Sequence, residues 1–146
     1  MTQLTLDQAN QLIGGIFAEA ARRDLPPLAV AVLDDGAHLK AMQRQDGVSF
    51  MRADICQAKA WGALAMGTDT RHLATRYAQD AQQQGFVLAL NAMSDGRIIP
   101  LPGGVLVRNA SGLILGAVGV AGAASEQDEA CAIAGIVGVG LQAAGD

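Results

Sequence analysis

Apolar residues at Leu6, Ala9, Ile13, Ile16, Phe17 and Ala20 recur with the spacing of one helical face. Thr5 followed by Leu6-Asp7-Gln8 reads as an N-cap with a polar first turn, and Pro26-Pro27 forbids continuation past about Arg22-Arg23. The period then changes. Leu28 to Leu33 is a continuous apolar run, Asp34-Asp35-Gly36 is a turn signal, and His38 to Gln43 reads as the return strand of a hairpin. Alternation along that strand puts Leu39 and Ala41 on one face and His38, Lys40 and Met42 on the other. The loop Arg44-Gln45-Asp46-Gly47 leads to a second helix over about Met51 to Met66. A further helical stretch runs from Asp69 to Gln84 with Gly85 as its stop, and Phe86 to Met93 fits a strand or an irregular segment.

Ser94-Asp95-Gly96 marks a turn, and Pro100-Leu101-Pro102-Gly103-Gly104 a loop that is rigid first and permissive after. Val105 to Arg108, the turn Asn109-Ala110-Ser111-Gly112 and Leu113 to Val120 form the clearest hairpin in the chain. Ser125 with an acid three residues later, Asp128, resembles a capping box. The final helix extends from Glu126 towards Leu141. Its face Ala130, Ile133, Ala134, Val137 and Leu141 is expected to serve both the core and a subunit contact. The order helix, hairpin, helices, hairpin, helix predicts an α+β domain whose helices cover an antiparallel sheet. No linker or repeat divides residues 1–146, which read as one domain.

Composition narrows the picture. Of 146 residues, 51% are hydrophobic, but there are only three Phe, one Tyr and one Trp, so the core must be aliphatic and tightly packed. Eighteen glycines allow close backbone approach. The net charge of −4 is spread without a basic patch, which argues against nucleic acid. No uninterrupted apolar run reaches membrane-spanning length, and Met1-Thr2-Gln3-Leu4 lacks the blocks of a signal peptide, so the expectation is a cytoplasmic protein without a membrane partner.

The residues that could carry chemistry are few. Lys59, within Ala58-Lys59-Ala60, is either desolvated among small side chains or a surface lysine whose stem lies along the helix. Arg44 and Asp46 follow a strand end. Arg44 suits a carboxylate, and the alternative for both is an ordinary turn salt bridge. Gly103-Gly104 either lets a ligand approach the backbone or only turns the chain into a strand. His38 and His72 are the only imidazoles, too few for a multi-histidine metal centre, and both read as solvated or structural. Cys56 and Cys131 fit no metal spacing and read as buried thiols.

Several segments, taken in order, resemble the haem-binding HbpS-like (GlcG-type) family, which includes the C-terminal domain of PduO-type corrinoid adenosyltransferases. They are Leu28 to Leu39, Gln43 to Gly47, Ala58-Lys59-Ala60, Gly103-Gly104, Gly116 to Gly122 and Gln127-Asp128-Glu129. The resemblance implies a profilin-like fold, a five-stranded antiparallel sheet between helical layers, in a dimer or larger homo-oligomer. It also implies a small-molecule ligand: haem, a corrinoid or a carboxylated metabolite. Glu129, by position a helix-end charge, becomes through the resemblance a candidate general base or metal contact. Lys59 and Glu129 are then the candidate catalytic pair, with Arg44, Asp46, Gly103 and Gly104 as ligand-binding residues. Lys59, Gly103-Gly104 and Glu129 are expected to share one pocket in which Lys59 and Glu129 balance charge. The sequence departs from the family pattern at Leu106, where a proline is common, and at Ala121, where a serine is common.

Overall fold

The structure, a computed structural model, describes residues 3–143. Helix α1 (Leu6–Arg22) is followed by strands β1 (Ala29–Asp34) and β2 (Leu39–Arg44). Three helices come next: α2 (Met51–Met66), α3 (Thr70–Tyr77) and α4 (Ala81–Met93). Strands β3 (Gly104–Arg108) and β4 (Ile114–Ala121), helix α5 (Ser125–Gly138) and a two-residue strand β5 (Gln142–Ala143) complete the fold. The five strands form one antiparallel sheet in the order β2-β1-β4-β3-β5. The expected five-stranded α+β architecture is therefore observed.

Helices α1 and α5 cover one face of the sheet and α2 the other. This explains why Leu28 to Leu33 has no polar alternation: β1 is central and buried on both sides. Val30 and Val32 join Leu12, Ile13, Ile16 and Ile136 in the core under α1 and α5. Ala29, Ala31 and Leu33 face α2. That second layer is thin because its side chains are small. Gly104 and Gly119 lie opposite each other across the β3–β4 ladder. A Cβ at Gly104 would strike the Lys59 carbonyl, and one at Gly119 the Cys56 carbonyl. The α2 backbone thus rests directly on two glycines, and alanine-sized packing replaces aromatics in this layer.

Four local expectations are corrected. Lys40 is the extra residue of a β-bulge, since Val32 pairs with Ala41 but Leu33 pairs with Leu39. Leu39 and Ala41 therefore point to opposite faces. Phe86 to Met93 is helical: Asp80 Oδ1 accepts the Gln83 N–H at 2.9 Å and starts α4, so Gly85 lies inside a helix instead of ending one. Helix α5 begins after Ala124, with no side-chain cap from Ser125, and ends at Gly138. Its core face is Cys131, Ala132, Gly135 and Ile136, whereas Ile133 and Val137 are exposed. Thr5, by contrast, closes the expected cap at α1, exchanging hydrogen bonds with Gln8 at 3.0 and 3.1 Å.

Candidate functional site

Lys59 lies on the sheet-facing side of α2 and is 1% exposed. Its Nζ donates to the Val120 carbonyl at 2.9 Å and to Asp128 Oδ2 at 3.2 Å. Asp128, also 1% exposed, accepts the Ala123 N–H on its other oxygen at 3.0 Å. Lys59 thus ties α2, the end of β4 and the start of α5 together from inside. Burial pulls its ammonium below the ordinary value and pushes the Asp128 carboxyl above its own, each charge offsetting part of the other's cost. Lys59 does not pair with Glu129, as the sequence suggested. Consecutive helical residues point about 100° apart, so when Asp128 turns inwards Glu129 turns towards α3.

There Glu129 meets Arg71, which sequence reasoning did not single out. Arg71 Nη2 and Nε donate to the two Glu129 oxygens at 2.6 and 2.8 Å. The preceding residues, Asp69 and Thr70, were also missed. Strand β5 pairs only with Val107 and Arg108, which leaves the outer edge of β3 open at Gly104 and Leu106. Thr70 Oγ1 accepts the Gly104 N–H and Asp69 Oδ1 the Leu106 N–H, both at 2.9 Å. Burial pushes the Asp69 carboxyl above its ordinary range. The Gly104 N–H is therefore already satisfied, and Gly103, at φ 125°, packs against the Lys59 side chain. A Gly-x-Asp-Thr sequence after a helix was the one available signal for Asp69 and Thr70, and it read only as a new helix start.

Arg44 and Asp46 are exposed and border a shallow groove of about 590 Å³ with Ala20, Leu25 and Pro27. Neither Lys59, Gly103, Gly104 nor Glu129 lines that groove. By register all these residues lie towards the same end of the sheet, because Ala29 pairs with Arg44 on one side and Ala121 on the other. Both cysteines are buried, and burial pushes the Cys56 thiol up to about 12. No group of three His, Cys, Asp or Glu able to hold a metal occurs among the described residues.

The opposite end of β1 carries a different feature. A half-open cleft of about 300 Å³ lies between α2, the β1–β2 turn and the turn after α4. Leu33, Ala37 and Leu39 form one wall. Asp54, Gln57, Ala58 and Trp61 of α2, at i, i+3, i+4 and i+7, form the other. Gly96 and Arg97 close one end. The Arg97 guanidinium lies 4.3 Å from the Trp61 ring centroid, and its Nε donates to the Ser94 carbonyl at 2.8 Å. Its two terminal nitrogens have no hydrogen-bond partner among the described residues. The bulge at Lys40 creates this wall, since it is what turns Leu39 towards Leu33.

Residues 4–137 match the family described as haem-degrading protein HbpS-like. The chain belongs to the HbpS-like family. It is 32% identical over 126 residues to an uncharacterized 15.0 kDa protein from the dhaT–dhaS intergenic region of Citrobacter freundii, covering 86% of this chain and 84% of that one. It is 26% identical over 126 residues to the corrinoid adenosyltransferase PduO of the same organism, spanning 86% of this chain but only 36% of that enzyme. A solved PduOC–haem complex superposes with a TM-score of 0.83 at 23% identity, covering 95% of this chain and 96% of that one. Among HbpS-like proteins haem is thus the implied group, and the cleft can be tested against it. The apolar walls suit a flat ring and Arg97 suits a carboxylate at its edge. The lining holds no imidazole, thiol, thioether or phenol to ligate iron. His38, between Ala37 and Leu39, is 82% exposed with its Nδ1 3.4 Å from Asp34. The lining offers an apolar wall and one guanidinium, and it offers no side chain of the kind that ligates haem iron.

Proposed function

We propose that this HbpS-like protein binds a small, flat, carboxylate-bearing molecule of the tetrapyrrole class in the Trp61–Arg97 cleft. The observation that carries the reading is a guanidinium held over an indole at the mouth of a largely apolar cleft, its two terminal nitrogens without a partner among the described residues. The family and the likeness to a haem complex support the ligand class. A corrinoid bears amides in place of carboxylates along its ring edge, so that edge would give Arg97 no anionic partner. We place the ligand away from Lys59 and Glu129 because both side chains are buried and engaged, the first with Asp128 and the second with Arg71. The cleft is open on one side, and Leu39 at its rim is 52% exposed, so a second copy of the chain completing the cover is part of this reading.

A haemin titration tests it. Saturable binding at one haemin per chain, read from the Soret band, is expected for the unaltered protein. Arg97→Gln and Leu39→Asp should each weaken binding at least about tenfold, as the loss of a charge-assisted pair or the burial of an unpaired acid would. Both positions are exposed, so these variants should fold. Affinity unchanged in both would contradict the assignment of the ligand to this cleft.

A further inference from the structure

The walls that suit a ring and an acid give iron nothing to hold. From this we infer that the cleft selects its ligand by ring and carboxylate and not by metal, so that it takes the metal-free porphyrin acid as readily as the iron complex. The inference rests on the reading above and goes further, because haem-specific binding requires a protein ligand on the iron and the lining of this cleft offers none. Haem sites hold iron through histidine, cysteine, methionine or tyrosine. The lining side chains are aliphatic residues, one indole, one amide, one guanidinium and one carboxylate. The Gln57 amide nitrogen already donates to the Ala53 carbonyl at 3.1 Å, which fixes that side chain along its own helix. Cys56, one residue away in sequence, is fully buried under the sheet face of α2, and its thiol is hydrogen-bonded to the Ala53 carbonyl at 3.2 Å.

The polar groups that remain set the ligand's orientation. Asp54 and Trp61 lie two helical turns apart on α2, about 10 Å along the axis at 1.5 Å per residue. Arg97 stands at the Trp61 end. A ligand carrying acid groups on one edge is therefore drawn to Arg97 and repelled from Asp54, with its apolar body along Leu33, Leu39 and Ala58. That is a polarity requirement on the ring's edge and none on its centre. Removing the Asp54 charge should relax orientation without removing the site.

The test is a parallel titration of the unaltered protein with haemin, zinc protoporphyrin and metal-free protoporphyrin, repeated on His38→Ala. The three are expected to bind within roughly threefold of one another, and His38→Ala is expected to change none of them. Haemin should show no low-spin spectrum of the kind two protein nitrogens on iron produce. Haemin binding more than about tenfold tighter than protoporphyrin, or lost with His38, would overturn the inference while leaving ligand binding in place. Failure of all three to bind would overturn the ligand reading itself, and the inference with it.

Discussion

Lys59 is buried against Asp128 and the Val120 carbonyl. Such a pair is destabilising to break, since the remaining partner is left charged and unsolvated. Lys59→Met should lower the unfolding free energy by about 3–5 kcal/mol in urea denaturation, and unchanged stability would show that Lys59 is not a brace. Glu129 was expected as its partner through the family resemblance, whereas Asp128, one residue earlier on α5, is the acid that turns inwards. Asp69 has a consequence for pH. Its carboxyl, with an ordinary value of 3.8, is raised in the folded protein by burial, so the folded state holds the proton more tightly than the unfolded chain. Its contribution to stability therefore falls as pH rises from 3.8 through the folded value. Asp69→Asn keeps an oxygen for the Leu106 N–H, and its stability relative to the unaltered protein should improve as pH rises from about 4 to 7. A pH-independent difference between the two melting curves would remove Asp69 as a titrating group.

At the level of elements, strands and long helices were legible because their hydrophobic periods are strong. The second half of the α3–α4 region was not. Helix α4 buries only Val87 fully, so its apolar pattern is diluted by exposed Phe86, Leu88 and Met93, and Gly85 mimics a stop. The bulge at Lys40 was equally invisible, since strict alternation is what a sequence reading must assume, and that bulge is what builds the Leu39 wall of the cleft. Two glycine substitutions separate conformational from steric roles. Gly85 has nothing within 4 Å of a built Cβ, so Gly85→Ala should stabilise the protein by about 0.5–1 kcal/mol through helix entropy. Gly119→Ala would drive a methyl into the Cys56 carbonyl and should cost at least about 1–3 kcal/mol. Equal urea midpoints for the two variants would contradict the backbone-on-glycine packing of α2.

For the whole molecule, the residues carried over from the family resemblance gather towards one end of the sheet, whereas the cleft lies at the other. Three of those residues brace the layers: Lys59 joins α2 to α5, Glu129 joins α5 to α3, and Gly104 seats α2. No helix among the described residues is long and apolar enough to cross a membrane. Val137, 59% exposed beside Ile133, belongs in our reading to a subunit contact. Sedimentation should find at least a dimer, and Val137→Lys should shift it towards monomer. A concentration-independent monomer in the unaltered protein would remove self-association from the account. The central claim, that the ligand seats beside Trp61, is most directly tested by amide and indole NMR with haemin, whose paramagnetic iron broadens nearby signals. Trp61 is the only tryptophan, so its single indole resonance reports the cleft without ambiguity. Stoichiometric haemin is predicted to erase that resonance and those of Ala37, Leu39 and Gly96 while leaving Arg44 and Asp46 intact. Loss of the Arg44 and Asp46 signals with the Trp61 indole preserved would contradict the account.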